Sequence, residues 1–268
     1  MPRITIRNVI ASRALLTFLV SATALWVVPA TAGGQVFVTN RFAGTIGEYS
    51  TSGATVSAAL ITGLSDPLDI AVSGGNLFVV NRASGTVGEY TTLGATVNAA
   101  LVSGLNNPFG IAVSGTNLFV TNSDTGTIGE YDAVTGATVN AALITGLIGP
   151  TNIAVSGTNL FVTNQIGTIG EYSTAGATVS AALITGLGLT NPHGITVSGG
   201  NLFATDFGND TIGEYTTSGA TVNAALITGL DGPFGIAMVP EPSSLVLAAL
   251  SFVGLAAWGW RRRKRSRA

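Results

Sequence analysis

The chain has 268 residues, no cysteine, 36 glycines and a charged fraction of only 9%. Nine of its eleven basic residues lie in the two ends, so Gly33 to Pro242 holds only Arg41 and Arg82 against thirteen acids, a net of −11. Such a body is unsuited to nucleic acid or to an anionic membrane surface, both of which need clustered Lys and Arg, and it uses neither disulfides nor thiolate chemistry.

Residues 1–32 read as a secretory signal peptide with a helical apolar segment. Arg3, Arg7 and Arg13 form a basic region, Ala14 to Val28 is apolar, and Ala30 and Ala32 make an Ala-x-Ala cleavage site.

Residues 33–238 are an internal repeat. Gly-Glu-Tyr recurs with its tyrosine at Tyr49, Tyr90, Tyr131, Tyr172 and Tyr215, at intervals of 41, 41, 41 and 43 residues. Each unit holds four short strand candidates between Gly, Asn, Ser and Pro turns. In the second copy these are Ile70–Ser73, Asn76–Val80, Thr86–Thr91 and about Ala95–Val102. No segment of the body sustains a 3.6-residue apolar period, so helix content should be very low. Four strands per ~40 residues predict an all-β fold, a five-bladed β-propeller of four-stranded blades. The body opens on a second strand, Val36–Val38, and closes on a first strand, Pro233–Met238. Joining these ends would complete the first blade and remove two sheet edges, which predicts end-to-end strand closure. A β-solenoid is the competing fold, since it also stacks repeats.

Residues 239–268 start at Val239-Pro240-Glu241-Pro242. They continue through the uncharged stretch Ser243–Trp260 and end in Arg261-Arg262-Arg263-Lys264-Arg265. As a helix the stretch would reach ~27 Å, enough to cross a bilayer core, with the basic cluster on the cytoplasmic side. The order Pro240-Glu241-Pro242, span, basic tail resembles the PEP-CTERM sorting signal. That resemblance implies exosortase and the secretion machinery as partners. The body would be held in the membrane by the C-terminal helix until processed, then delivered to the cell surface or outside the cell. The repeat pieces Pro-x-Gly-Ile-Ala-Val and Asn-Leu-Phe-Val-Thr-Asn are similar to NHL-type and lactonase-like propeller repeats.

The five copies differ unevenly. Turns between strands one and two (Ser73-Gly74-Gly75-Asn76 and its equivalents) and between strands three and four barely change. Loops between strands two and three, and links into the next first strand, vary. Up-and-down connectivity puts the variable sets on one rim, which is the better candidate for contact with a ligand. Its expected contacts are Phe42, Asp69, Arg82, Phe109, Asn152, His193 and Phe234. Phe42, Phe109, Phe207 and Phe234 could stack on a sugar or plug the ring centre. Asp66, Asp69, Asp124, Asp206, Asp210 and Asp231, with Asn106, Asn107, Asn152 and Asn191, offer oxygen donors of the kind calcium takes, but no Asp-x-Asp-x-Asp loop appears and no cofactor is expected. Five identical glutamates cannot serve as one catalytic acid and suit a repeated structural bond. The chain is therefore expected to be a non-enzymatic binding or structural module of the extracellular polysaccharide matrix. The alternative is a metal-dependent lactonase-like hydrolase or lyase centred on His193, Asn191 and the rim aspartates.

Overall fold

The computed structural model describes residues 35–50, 53–186 and 189–236. The readings of 1–32 and 239–268 as signal, span and tail lie outside the described residues. Strands β1 (Gln35–Asn40), β2 (Thr45–Ser50) and β3 (Thr55–Ile61) form one three-stranded antiparallel sheet. Strands β4 (Pro67–Ser73), β5 (Asn76–Asn81), β6 (Thr86–Thr91) and β7 (Thr96–Val102) form a four-stranded sheet in chain order. The same meander recurs in β8 (Pro108–Ser114) to β11 (Thr138–Ile144), β12 (Pro150–Ser156) to β15 (Thr178–Thr185), and β16 (Pro192–Ser198) to β19 (Thr221–Ile227). The first strands β4, β8, β12 and β16 pack side by side around one centre. This is a five-bladed β-propeller. A solenoid would carry its hydrogen bonds from repeat to repeat. Here every ladder closes within a repeat, and neighbouring repeats meet through side chains.

Among the described residues there is no helix, as the missing 3.6-residue period predicts. The first strands start at proline, earlier than the apolar run suggests. Pro67 pairs with Asn81, and a bulge between Pro67 and Ile70 lets the ladder resume.

The core lies between blades. Phe78, Leu101 and Val102 of the second blade meet Leu118, Val120 and Tyr131 of the third. Phe119, Ile128 and Ile144 meet Ile153, Leu160 and Tyr172. Phe161, Ile169 and Ile184 meet Leu202, Ala204 and Tyr215. Ile46 and Ile61 meet Leu77, Val79 and Tyr90. In each interface the tyrosine of Gly-Glu-Tyr belongs to the later blade and lies over the glycine two residues before it. A Cβ on Gly88 would stand 2.7 Å from the Tyr90 phenol oxygen, so only glycine lets the ring lie flat there. The intervening glutamate accepts one bond from the residue that opens the second strand. Asn76 Nδ2 donates to Glu89 at 2.6 Å, and Gln35, Asn117, Asn159 and Asn201 do the same for Glu48, Glu130, Glu171 and Glu214. One structural task, repeated five times, accounts for these acids.

The backbone of Pro233–Ile236 continues the ring of inner strands beyond β16. Thr121 Oγ1 donates to the Thr151 carbonyl of the next inner strand at 2.7 Å, and Thr163 Oγ1 to that of His193 at 2.8 Å. Thr205 Oγ1 makes the same bond, at 3.2 Å, to the Phe234 carbonyl. A Cβ on Gly194 would meet the Phe234 carbonyl and the Ile236 amide, just as one on Gly110 would meet Thr151 and Asn152. The terminal segment thus takes the next inner place after that of the fifth blade. No ladder to β1 is formed among the described residues, and Ala237 and Met238 lie outside them. Leu77 and Val79 are buried against Ile46 and Ile61 of the preceding blade, whereas their equivalents Val36 and Val38 remain 37% and 39% exposed, as do Leu226 and Ile227 of the fifth blade at 42% and 45%.

Gly88→Ala should lower unfolding stability by about 1–3 kcal/mol, because Tyr90 must leave its place between the first two blades. Urea unfolding followed by tyrosine fluorescence measures this. An unchanged midpoint would mean that the ring is not held against its own glycine.

Candidate binding rim

The two kinds of turn separate as the repeat predicts. On one rim the uniform turns bond to each other, Thr92 N to Gly75 O at 2.9 Å and Ala133 N to Thr116 O at 2.8 Å. On the other rim the variable loops bond to the variable links, Arg82 N to Asp66 O and Ser123 N to Asn107 O, both at 3.1 Å.

The links reverse the chain in a residue just before proline. Asp66 and Asn107 adopt φ of +54° and +49° there, and Gly149 and Gly232 both +56°. Asp, Asn and Gly are the residues that tolerate this left-handed conformation, which explains their appearance at this point of the repeat. The same turn aims the Asp66 and Asn107 side chains at the preceding loops. Arg41 Nε donates to Asp66 Oδ1 at 2.5 Å, and Arg82 Nε to Asn107 Oδ1 at 2.6 Å. Asn107 Nδ2 in turn donates to Asp124 Oδ1 at 2.7 Å. Arg82 Nη1 also stands 3.8 Å from Asp66, so this carboxylate lies between both guanidinium groups. With Ala83 these side chains line an open cleft of about 520 Å³ across the first three blades. Arg41 and Arg82, the only basic residues of the body, both lie in it. Phe42 stands at its edge, 96% exposed, with the Arg41 guanidinium 5.4 Å from its ring centroid.

In three copies the residue after the link proline is aromatic or histidine, and these three gather at the ring centre. Phe109, His193 and Phe234 stack there, with His193 and Phe234 centroids 4.1 Å apart and Phe109 5.7 Å from each. Phe207 leans edge-on against His193 at 5.5 Å. Arg82 reaches the Phe109 ring at 6.0 Å, which makes cleft and stack one continuous surface. Of the two roles open to Phe109 and Phe234, plug or platform, their geometry is that of a plug: Phe109 is only 9% exposed. His193 is 8% exposed, and its Nδ1 has no hydrogen-bond partner among the described residues. Burial holds its pKa below the ordinary value, partly offset by the Asp206 charge.

Asp69 and Asn152 lie deeper than a surface contact would. They stand two residues after their link prolines, the position that Gly110 takes in the strand between them, and a Cβ on Gly110 would stand 3.0 Å from Asn152 Oδ1. Asp69 Oδ2 accepts from the Ile111 amide at 2.8 Å across a blade interface. Solvent still reaches part of the residue, yet desolvation pushes its carboxyl from 3.8 up to about 6, against the lowering effect of the Ile111 and Ile70 amides and the Asn152 side chain.

Seven rim residues were expected to gather. Arg82 lines the cleft and Phe42 stands beside it, Phe109, His193 and Phe234 form the central stack, and Asp69 and Asn152 lie at the blade interface. Arg41, Asp66, Asn107 and Asp124 complete the cleft and were not among the seven. The signal for Arg41 was available, since the body has only two cations and both open a strand-two-to-three loop. The six rim aspartates do not converge. Asp206 accepts from the Thr190 and Asn191 amides, Asp210 from the Gly232 amide, and among the described residues no three His, Cys, Asp or Glu side chains gather as metal ligands would.

Comparison with known proteins extends this picture at both ends of the argument. Residues 239–264 match the PEP-CTERM protein-sorting motif. The motif implies export, exosortase as processing partner and delivery to the surface. The body is similar to virginiamycin B lyase from Staphylococcus aureus, with 20% identity and TM-score 0.57 over 76% of this chain and 71% of that one. A streptogramin B lyase gives 20% identity and TM-score 0.62 over 77% and 70%. A chain of the nidogen/laminin complex gives 19% identity and TM-score 0.65 over 76% and 80%. At such identities the likeness is one of fold. No curated protein sequence matches the chain.

Asp69 sets a pH dependence whose sign is fixed. Its folded pKa, about 6, lies above the unfolded value near 3.9, so the folded state binds the extra proton. Its contribution to stability is full below about pH 4 and is lost as pH rises through about 6, in total about 2–3 kcal/mol. Asp69→Asn should remove that decline in urea titrations between pH 4 and 7. The rise expected over the same range from buried, neutral His193 should then stand alone. An unaltered profile would show that Asp69 is well solvated.

Proposed function

We propose that this chain is an exported, exosortase-processed surface protein whose propeller binds extracellular polysaccharide through the variable rim. It is held in the membrane by 243–260 until cleavage and acts outside the cell without chemistry of its own. The observation that carries the binding site is the convergence of Arg41, Asp66, Arg82, Asn107 and Asp124 in one open cleft beside the exposed ring of Phe42. Planar guanidinium, carboxylate and carboxamide groups offer paired donors and acceptors to vicinal hydroxyls, while an exposed aromatic face suits the apolar side of a sugar ring. Two arginines against two aspartates leave the cleft without net charge, which favours a neutral, hydroxyl-rich polymer over a polyanion. A role without catalysis is supported by the side chains themselves. Among the described residues the one carboxylate with a strongly raised pKa, Asp69, is occupied across a blade interface outside the cleft.

A lyase reading has one observation in its favour. A lone histidine whose Nδ1 has no partner among the described residues sits in the central stack, in a fold shared with virginiamycin B lyase, of which a catalytically inactive histidine variant is described with quinupristin. Incubating the exported protein with quinupristin and divalent metal separates the two readings. Ring opening by elimination gives a linear isomer of the same mass, so the readout is chromatographic retention and fragmentation pattern. Binding without chemistry leaves both unchanged, and a new linear isomer would establish the lyase.

Binding of the processed protein to polysaccharide from the producing cell should weaken by about 1–3 kcal/mol, roughly 5- to 150-fold in Kd, on Arg82→Ala or Phe42→Ala. Thr158→Lys, on the uniform rim, should change little. Binding lost only in the latter would place the site on the wrong rim. Replacing Pro240, Glu241 and Pro242 by alanine should leave the body with the membrane fraction, and release like the parent would remove the sorting role.

A further inference from the structure

The end of the described chain fixes a direction. Pro233–Ile236 lies beside β16 in the next inner place of the ring and runs parallel to β8, β12 and β16, from the variable rim towards the uniform one. In β8, Pro108 stands at the variable rim and Ser114 at the uniform turn, six residues on. The described chain thus ends at Ile236 past the variable rim and heading for the uniform one. Only residues 237–242 separate it from Ser243, where the apolar stretch starts, a reach of at most about 23–25 Å fully extended.

The uniform rim has the surface that such a position requires. Among its described residues Asp132 is the only charged one, and its Oδ1 is engaged by the Val134 and Thr135 amides and the Thr135 hydroxyl. The rest are Ser, Thr, Gly, Asn and Ala, except for two apolar side chains that project from neighbouring turns, Leu93 at 83% and Val134 at 73% exposure. The opposite rim carries Asp66, Asp124, Asp206, Asp210 and Asp231 against two arginines and would be repelled by anionic headgroups. Neutral hydroxyls with scattered apolar tips face a lipid surface at little cost in desolvation.

From this exit point and this charge asymmetry we infer that, in the unprocessed chain, the uniform rim is apposed to the lipid bilayer while the cleft rim faces away from it. The inference rests on the reading of 243–260 as a span. It adds a working arrangement: polymer reaches the cleft while the chain is still attached, and the Pro-Glu-Pro segment lies in a narrow gap between propeller and bilayer.

The absence of cysteine makes the test direct. Single-cysteine variants of the full chain, Leu93→Cys, Val134→Cys and Ile166→Cys, are labelled with a small environment-sensitive fluorophore. They are reconstituted into vesicles of phosphatidylethanolamine and phosphatidylglycerol carrying a headgroup nitroxide. Ile166 lies on the variable rim and is 55% exposed. The vesicles should carry the protein on flotation, with quenching several-fold stronger at 93 and 134 than at 166. Flotation with equal quenching, or stronger quenching at 166, overturns the orientation and leaves the span intact. Failure to float removes the span, and the orientation with it.

Discussion

Each blade is too small to have a core of its own, and this constraint organises the molecule. Four strands of six to eight residues make one twisted layer with an apolar surface on each side, and only another such layer can cover it. The covering is done by the tyrosine of Gly-Glu-Tyr, which reaches the preceding blade while its ring lies along its own glycine. Removing the glycine's hydrogen in favour of a methyl group would therefore disturb two blades at once. The glutamate between them faces the other way and ties strand three to the start of strand two. Three adjacent residues thus set the register within a blade and the packing between blades. That is a physical reason for finding them unaltered in all five copies.

Inner strands obey a second constraint. They approach so closely around the centre that Gly110 and Gly194 have backbone atoms of the next inner strand where a Cβ would stand. Where the equivalent residue is Asp69 or Asn152, its side chain goes over the glycine of the intervening strand and bonds there. The position before it is the one that faces the centre, and in three copies it is aromatic or histidine. A ring of five leaves a narrow centre, which three stacked rings fill. Ligand-accessible surface is displaced outward from the axis, and the cleft between loops of the first three blades lies in that displaced zone.

Blade number, strand order, the two rims and the structural use of the glutamates were legible in the sequence, because each depends on local pattern repeated at fixed spacing. The incomplete first and last units suggested that the chain ends pair; among the described residues the last segment reaches the inner place beside β16, and no ladder to β1 is formed. The cleft was only half legible. Arg41 meets Asp66 and Arg82 meets Asn107 across 25 residues each, and no local pattern encodes those pairs. Asp66 and Asn107 look like turn residues because they are turn residues, required by a left-handed backbone before proline. Their second use, as partners for arginine, appears only once two blades stand side by side. Asp69 misled in the opposite way. It follows a rim proline by two residues, yet one step down a steeply inclined inner strand is enough to take a carboxylate from solvent into a blade interface.

Uniformity and variation on the two rims carry different weight once the backbone is known. The uniform turns use positive φ at Gly74, Gly115, Gly157 and Gly199, and at Gly75 and Gly200 again, so glycine is demanded there with open space around it. Their sameness follows from the tightness of a two-residue hairpin and needs no shared ligand. The loops between strands two and three are less constrained. The position that follows the last residue of the second strand holds Arg41, Arg82, Ser123, Gln165 and Phe207 in turn. Two of these lean on the central residue of the next blade, Arg82 on Phe109 and Phe207 on Phe234. The same backbone site therefore builds an arginine-lined cleft on one side of the ring and an apolar seal near its junction on the other. Difference among copies is allowed because the backbone tolerates it, and it becomes useful because the ring gathers five different side chains around one mouth.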